Sequence, residues 1–551
     1  MSSEDALEQE ITLLEQDYAL LNETLANLQQ HLTINTDNKF YIKQKIIDNE
    51  AELYHVKQRL EELKKKAGLI PDQMNQSPPA TLHNVPRLPP YLVTNLPLFN
   101  ELKTKLIEPD SDEISENQKS PIIIQSPSGM GKSVMAAMLA HDETIRRAFN
   151  HGIFWIHLGQ QPDLLARQIA LIHALNEPAT NHLLKLQEGT KQLRQLCANR
   201  RCLFILDDAW DVYEILAFSA LGKECQLLIT TCDTTLLDFL RHSIPNAQGY
   251  ILDPLEEKQA IQFFIHCTGR NLIKVTSEVT AMAQACDYSP LALKLIASIT
   301  RTQSKSNWKG LLESLQRAQS NEFPDTHPRA LMQAMPINVD ALGEQSEYYL
   351  TLAVFIDYTH IPEATILMLW HYLYHFQAEQ AGAFLDKLAE KGLLHIDGQS
   401  PKRYIRLHAF QYDYLSTSTD VDKLHGHLLT AYRRQCQHDW SSGPNDGYFF
   451  EYLCQHLLAA ERFNELKSLL LDFDWLHTKL QICSLHAVLK DYELLQDADL
   501  NLVKQALHKV APSLRNEHEQ LAIQLFNHLH TNFSPDIQKL LNQMKEIVSD
   551  W

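Results

Sequence analysis

The chain has 551 residues, 44% of them hydrophobic, and a formal net charge of −19 at pH 7. Its length predicts roughly three to five domains. Its acidic balance argues against a general nucleic-acid or membrane-surface binder, because both of those partners are themselves negative. Nine scattered cysteines without a C-x-x-C pair, and an opening MSSEDALEQE without an apolar signal region, favour a cytoplasmic protein with reduced thiols. No stretch reaches the length of a membrane span, and export by a hidden route stays open as an alternative.

Two seams of apolar residues occupy the first 66 residues, and each repeats in steps of four and three. A polar break at residues 33–38 separates the seams, and Asn49 is the one polar member of the second seam. This spacing predicts an antiparallel coiled-coil hairpin over residues 1–66. The hairpin could bind a protein partner, or serve only as a solvated stalk or dimer clip. Prolines and polar residues then predict a linker over residues 67–90.

The segment PIIIQSPSGMGKSVMAAML predicts a buried strand, a small-residue loop and a helix start in immediate succession. In such a loop the N–H groups around Gly129 and Gly131 would turn toward an anion at the positive end of the helix. Lys132 would reach the β- and γ-phosphates, and the Ser133 hydroxyl would ligate Mg²⁺. Considered alone, the loop could also be an ordinary joint between a strand and a helix.

A second apolar run, CLFILDDAW, ends in the two carboxylates Asp207 and Asp208. Ligands of open α/β sheets gather at the C-terminal ends of buried parallel strands. One acid can support the Mg²⁺ shell and the other can orient a water molecule. A helix cap would explain one aspartate, but it would explain neither the pair nor the apolar strand before it. The loop and the acid pair together predict a nucleotide site.

Strands alternate with helices beyond the linker, which predicts a P-loop NTPase-type parallel sheet wrapped by helices. The candidate strands are residues 122–125, 153–158, 203–206, 227–231 and 250–252. Helical patterns then dominate from Glu256 onward, except in GLLHIDGQSPKRYIRLH, which predicts two short strands around a turn. With the helices before it, this hairpin predicts a winged-helix domain. Its basic residues are offset by acids, so a packing role is favoured over DNA reading.

The order of these motifs resembles that of the NB-ARC family, also called AP-ATPases. The members of this family are signal-transduction ATPases of the STAND class. The matching stretches are SPSGMGKSVMAAML as the P-loop, GIFWIHLGQ as the next strand, CLFILDDAW as the acid-pair strand, QLLITTCD as the sensor strand, YSPLALKLIA as the proline motif and YIRLHAFQYDYL as the winged-helix histidine motif. The resemblance covers residues 91–415, and the tail around LLLDFDWLHTKL is similar to a second helical domain of that family.

The resemblance implies a bound adenine nucleotide, ADP or ATP (or dATP), together with Mg²⁺. It implies that Ser133 and Asp207 hold the metal, and that Asp207 and Asp208 are the candidate catalytic residues, with Asp208 positioning a water. The residues that it assigns to phosphate binding are Ser128, Gly129, Met130, Gly131, Lys132, Ser133 and Val134.

The resemblance also implies how the base and the closed state are recognised. Pro290 would pack on one side of the adenine, and Val93 and Thr94 would line the other side. His408 would reach the β-phosphate of ADP and clamp the winged-helix domain onto the nucleotide.

The fold class expected on this basis is multidomain α/β plus all-α. The domains are a coiled-coil hairpin (1–66), a proline-rich linker (67–90), a P-loop nucleotide-binding domain (91–253), a first helical domain (254–327), a winged-helix domain (328–415) and a C-terminal helical domain (416–551).

The function implied is that of a nucleotide-dependent molecular switch with weak ATPase activity at most. ADP would stabilise a closed monomer, and ATP or dATP would drive opening and oligomerisation. The oligomer would signal to an unknown protein partner through the coiled coil. One alternative is a constitutively ADP-bound scaffold that does not cycle, and a less favoured one is a winged-helix DNA-binding regulator.

Three positions depart from the family pattern. Cys232 stands where the sensor strand carries arginine, so hydrolysis is expected to be slow or absent. Ala409 stands where the histidine motif continues with aspartate, which predicts a looser closed state. Ser126 replaces the first glycine of the P-loop, and it is compatible with binding only if its backbone avoids positive φ.

Overall fold

The structure is a computed structural model that describes most of the chain beyond residue 78. The described ranges are 79–89, 91–93, 95–107, 119–159, 162–175, 185–219, 221–244, 246–269, 277–302, 307–317, 328–355, 360–399, 402–511 and 520–549. The predicted coiled-coil hairpin of residues 1–66, most of the predicted linker and Thr94 lie outside the described residues. From Ala80 onward the described residues belong to one compact unit.

Six parallel strands form the central sheet in the order β1-β3-β4-β5-β2-β6. Their bounds are β1 Leu82–His83, β2 Ile122–Gln125, β3 Ile153–His157, β4 Leu203–Asp207, β5 Gln226–Thr231 and β6 Gln248–Ile251. The predicted parallel sheet and its five strands are confirmed. The four inner strands are almost wholly buried, as expected of parallel strands covered on both faces. The edge strand β1 was not predicted, because two residues are too short to show a period.

Helices cover both faces of the sheet and separate its apolar residues into two cores. The helices are α1 Leu96–Ile107, α2 Lys132–His141 and α3 Glu143–Ala148 on one face, and α4 Leu164–Ala174, α5 Leu186–Cys197, α6 Val212–Ser219 and α7 Leu236–Ser243 on the other. Along β4, Leu203 and Ile205 belong to the first core, while Phe204 and Leu206 belong to the second. This alternation follows the two-residue period of a strand.

Six further helices and a small sheet follow the central sheet. The helices are α8 Glu257–Cys267, α9 Ser277–Ala285, α10 Pro290–Thr302, α11 Trp308–Arg317, α12 Arg329–Asp340 and α13 Ser346–Leu350, with 3₁₀ turns at Gly343–Gln345 and Thr351–Val354. Strands β7 Ile361–Pro362, β8 His395–Gln399 and β9 Lys402–Arg406 form an antiparallel sheet in the order β7-β9-β8, and helices α14 Glu363–Tyr374 and α15 Ala378–Glu390 lie between β7 and β8 in the chain. The two strands predicted around the GQSPK turn are therefore β8 and β9, and they pair as a hairpin.

The remaining chain is helical, as predicted for the C-terminal part. Its helices are α16 Ala409–Ser418, α17 Val421–Arg433, α18 Phe449–Ala459, α19 Phe463–Leu470, α20 Phe473–Ile482, α21 Leu485–Asp491, α22 Ala498–Val510, α23 Leu521–Leu529 and α24 Pro535–Ser549, with a 3₁₀ turn at Trp440–Ser442. One continuous apolar core runs from Ala260 in α8 to Met544 in α24. Within the described ranges, no helix is both long enough and apolar enough to cross a membrane.

Candidate functional site

The loop between β2 and α2 has the backbone shape that an anion cradle requires. Gly129 and Gly131 have left-handed φ values of 82° and 98°, which residues other than glycine rarely adopt. Ser126 is not among the six described non-glycine residues with positive φ, so this position does not require the backbone freedom of glycine. Gly131 is the N-cap of α2, and no side chain caps the helix there. The first N–H groups of α2 can therefore bind an anion.

Lys132 places an ammonium group over this loop. Its Nζ donates to the backbone oxygens of Ser126 at 2.6 Å and Pro127 at 3.0 Å, and it lies 3.3 Å from the Sγ of Cys232. The residue is buried, with 7% of its surface exposed. Such a cation can meet the charge of a phosphate that binds to the loop.

Asp207, at the end of β4, receives hydrogen bonds from three other elements. Its Oδ1 accepts from the Ser133 hydroxyl at 2.6 Å and from the Thr230 hydroxyl at 2.8 Å. Its Oδ2 lies 3.2 Å from Nδ1 of His157 at the end of β3. The structure thus brings together the two residues predicted to hold Mg²⁺, Ser133 and Asp207.

The two adjacent acids differ in their electrostatic surroundings. Burial alone would raise the pKa of Asp207, but hydrogen bonds from His157 and Ser133 hold that pKa below its ordinary value. Burial raises the pKa of Asp208, and the neighbouring charge of Asp207 acts in the same direction. Asp207 is therefore held ionised, while Asp208 is the better placed of the two to accept a proton or to orient a water.

Asp208 occupies a strained turn directly after β4. Its φ is 61°, in the left-handed region that aspartate tolerates better than most residues. Its backbone N–H donates to the Thr230 hydroxyl at 2.9 Å, and its Oδ1 lies 3.9 Å from the Sγ of Cys232. Thr230 on β5 therefore holds both acids in place. Its hydroxyl donates to the Asp207 carboxylate and accepts from the Asp208 N–H.

Cys232 lies just after β5, in the middle of the site, at the position where the resemblance leads one to expect arginine. Its thiol contacts both Lys132 and Asp208. Burial raises the pKa of Cys232, so the neutral thiol is favoured. This position supplies no positive charge to a bound phosphate.

Pro290, the first residue of α10, lies beside the glycine loop. The residues on either side of it both donate to the carbonyl oxygen of Gly129 at 3.2 Å: the Ser289 hydroxyl and the Leu291 N–H. Any side chain at Gly129 would also meet Cδ1 of Leu331 in α12 at 2.9 Å. The phosphate loop and the helical segment that follows the sheet are thus packed directly together.

The residues predicted to line the base lie partly within the described ranges. Val93 is half-buried in the segment before α1, and Thr94 falls outside the description. Two residues before Val93, Tyr91 stacks on His266 of α8 with ring centroids 3.6 Å apart. This stacking places the segment that contains Val93 against the helices that follow the sheet.

His408 precedes α16 and is its N-cap. The side chain has exposed surface, yet desolvation by the surrounding protein, with the positive charges of His395 and Arg406, lowers its pKa to about 3. The negative charge of Asp207 acts in the opposite direction and raises the pKa of His408. His408 therefore lies within electrostatic range of Asp207.

The remaining predicted residues lie on the loop and the first turn of α2. Met130 is buried, and Ser128 and Val134 are half-buried. Three residues that sequence reasoning did not assign also belong to the site: His157, Thr230 and Ser289. The ends of β3, β4 and β5 lie side by side in the sheet, so strand-end position was the available signal for His157 and Thr230.

The parallel sheet, the glycine loop before α2 and the acids after β4 define a nucleotide-binding domain of the P-loop NTPase class. The family model of the NB-ARC domain matches residues 98–271, and that of the APAF-1 helical domain matches residues 421–532. These matches confirm the resemblance to NB-ARC signal-transduction ATPases that the motifs indicated.

Known proteins of two kinds are similar to this chain. Apoptotic protease-activating factor 1 of Danio rerio is 27% identical over 434 residues, which cover 74% of this chain and 32% of that protein. A probable disease resistance protein of Arabidopsis thaliana is 26% identical over 313 residues, covering 56% of this chain and 36% of that protein. The chain spans about a third of the length of these curated relatives. A solved structure of Cdc6p from Pyrobaculum aerophilum aligns with 64% of this chain and 98% of its own at 15% identity, with a TM-score of 0.28.

Proposed function

We propose that the protein is a nucleotide-dependent molecular switch that holds ADP in a closed monomer and that opens and oligomerises with ATP or dATP. The observation that carries the proposal is the pair of hydrogen bonds from Ser289 and Leu291 to the carbonyl oxygen of Gly129. A nucleotide that shifts the Gly129 carbonyl would shift the start of α10 with it. Nucleotide state at the loop is thereby coupled to the position of the helices that follow.

The described residues suit the phosphates of a nucleotide together with Mg²⁺. The Ser133 hydroxyl and the Asp207 carboxylate are oxygen donors, the kind that Mg²⁺ prefers, and hydrogen bonds keep that carboxylate charged. Lys132 and the uncapped start of α2 suit the phosphates. The metal would supply charge neutralisation at the phosphates. Asp208, with its raised pKa, is our candidate for positioning a water.

Contacts between distant parts of the chain support a closed state. Asp163, the N-cap of α4, accepts hydrogen bonds from His486 at 2.9 and 3.0 Å and from Lys490 at 3.0 Å, both in α21. Arg301 at the end of α10 pairs with Glu390 at the end of α15 at 3.1 Å. Opening would break such contacts. ATP can drive opening only if it binds the open state more tightly than it binds the closed state.

We further propose that residues 328–415 form the winged-helix domain, with β8 and β9 as its wing, and that the other domain boundaries are as predicted. The arginines of β9 are neutralised within this segment. Arg403 pairs with Glu363 at 2.5 Å and with Asp386 at 2.7 Å, and Arg406 pairs with Asp397 at 3.2 Å. This pairing favours a packing role over DNA reading.

A second candidate function is a static ADP-bound scaffold that does not cycle. The observation that favours it is the Cys232 thiol, which lies 3.3 Å from Lys132 at the position where a sensing cation is expected. Such a protein would bind ADP tightly but respond weakly to a γ-phosphate. Its N-terminal hairpin would then act as a permanent adaptor.

Light scattering with and without ATP and Mg²⁺ separates the two candidates. The switch predicts that mass rises from monomer to oligomer with ATP, and that Lys132→Ala abolishes the rise. Monomeric mass under every nucleotide condition, with ADP retained, would instead establish the scaffold. A protein that binds neither nucleotide would contradict both candidates.

A further inference from the structure

The contact between His157 and Asp207 follows from the register of the sheet. His157 is the last residue of β3 and pairs directly with Asp207, the last residue of β4. Paired residues of adjacent parallel strands project to the same face, so the imidazole lies beside the carboxylate, with Nδ1 and Oδ2 3.2 Å apart. Only 11% of the His157 side chain and 3% of the Asp207 side chain are exposed. Water therefore competes little for this hydrogen bond.

The oxygens of Asp207 are divided between different donors. Hydroxyls of Ser133 and Thr230 occupy Oδ1, and the imidazole of His157 occupies Oδ2. An ionised carboxylate only accepts hydrogen bonds. His157 must therefore carry a proton on Nδ1 to bond with it.

Without His157, one side of the carboxylate would lose its donor inside a buried site. Only the donors on Oδ1 would then fix the carboxylate, and Oδ2 would be free to swing about the last bond of the side chain. That freedom would weaken its hold on a divalent cation.

We propose that His157 is a positioning residue for the divalent cation of the nucleotide site: its Nδ1–H fixes the Asp207 carboxylate in the orientation that receives the metal. This inference rests on the proposed nucleotide and Mg²⁺ binding at the same site. His157 itself contacts neither metal nor nucleotide in this account. Its effect is on metal affinity, and the affinity for metal-free nucleotide is independent of it.

Two substitutions test the role on the full-length chain. His157→Leu removes the donor, whereas His157→Asn keeps an N–H donor one bond beyond Cγ, as in histidine. His173→Leu, at the exposed end of α4, is the matched control. Binding of Mn²⁺ to the complex with a β,γ-imido ATP analogue is measured by electron paramagnetic resonance, and binding of the analogue in EDTA by calorimetry. Thermal melting monitors folding.

His157→Leu is expected to weaken Mn²⁺ binding about 10-fold, the lower end of the usual loss for an outer-shell partner. His157→Asn is expected to stay within about threefold of the unmodified protein, and binding in EDTA to be unchanged in both variants. Unchanged Mn²⁺ affinity in His157→Leu, or an equal loss in the two variants, would overturn the proposal. If the unmodified protein binds no analogue at all, the proposed function fails instead.

A measurement that does not need His157→Leu covers the case in which that variant does not fold. In ¹⁵N-histidine-labelled protein, the His157 resonance, assigned by its absence from His157→Asn, is expected to show the proton on Nδ1. A ring protonated only at Nε2 cannot donate to Asp207, and it would overturn the proposal even where nucleotide binding is intact.

Discussion

Lys132 is the residue on which nucleotide affinity is expected to depend most. Its ammonium lies over the glycine loop, held by two backbone carbonyl oxygens and near the Cys232 thiol. Lys132→Ala is expected to lower the affinity for ADP roughly 10- to 100-fold, since a charge-assisted hydrogen bond contributes about 1.5–3 kcal/mol. Calorimetric titration with ADP measures this. Lys191→Ala, on the exposed face of α5, is the control, and equal affinities in the two variants would refute the assignment.

A buried pair of histidines predicts that stability depends on pH. His425 and His456 lie Nδ1 to Nδ1 at 2.8 Å, and Nε2 of His456 meets the Tyr448 hydroxyl at 2.9 Å. Desolvation holds the pKa of His456 well below its ordinary value of 6.5, and the charge of His425 acts in the same direction. The folded protein therefore keeps this imidazole neutral, while the unfolded chain binds a proton below pH 6.5.

The contribution of His456 to stability is thus present above pH 6.5 and lost as the pH falls below it. At pH 5, one imidazole that stays neutral in the folded protein has lowered the free energy of unfolding by about 2 kcal/mol. Urea denaturation at pH 7.5, 6 and 5 measures it. The difference in unfolding free energy between the unmodified protein and His456→Gln should shrink as the pH falls, and a constant difference would disprove the assignment.

Among the elements, α4 and α21 are joined by a charged contact between residues more than 300 positions apart in the chain. Burial alone would raise the pKa of Asp163, but hydrogen bonds from His486 and from the Ala166 N–H hold it low. Replacing both His486 and Lys490 by alanine removes the contact and leaves the N-cap bond of Asp163 to Ala166 in place. We expect ADP to be released about 10-fold faster, within the usual range of coupling between sites.

Stopped-flow release of a fluorescent ADP analogue measures this effect. Lys509→Ala, at the exposed end of α22, is the control for a lost lysine. If the double variant releases ADP at the rate of the unmodified protein, the contact between α4 and α21 does not help to hold the closed state.

Helices α20 and α21 are joined by a buried ion pair. Nζ of Lys479 lies 2.5 Å from Oδ2 of Asp491, and the side chains are 1% and 4% exposed. Asp491→Ala leaves a buried ammonium without its counter-charge, and it is expected to cost about 3–5 kcal/mol of stability. Replacing the pair together, as Lys479→Met with Asp491→Leu, should recover most of that loss. Denaturant melts compare the three proteins, and similar losses in both variants would contradict this explanation.

At the scale of the whole molecule, the sequence predicted the elements better than their contacts. The inner strands were predictable because each is a continuous apolar run such as CLFILD, and the hairpin of β8 and β9 because GQSPK marks its turn. The glycine loop and the acids were predictable because their chemistry needs particular residue types. The partners of Asp207 were not, since a strand-end histidine or threonine has no pattern of its own.

Contacts between distant segments were also beyond sequence reasoning. The bond from Asp163 to His486 depends on how the C-terminal helices pack against the sheet domain, and no local period encodes that packing. The same holds for Ser289 and Gly129, although the family resemblance did place the neighbouring Pro290 at the nucleotide. These contacts between segments are the ones that a switch would have to break or keep.

The nucleotide released when the purified protein is denatured shows directly whether the glycine loop and Lys132 hold ADP. About one ADP per chain is expected from the unmodified protein, and little or none from Lys132→Ala prepared in the same way. An unmodified protein that releases no adenine nucleotide and binds none when it is added, or equal amounts from both proteins, would contradict this expectation.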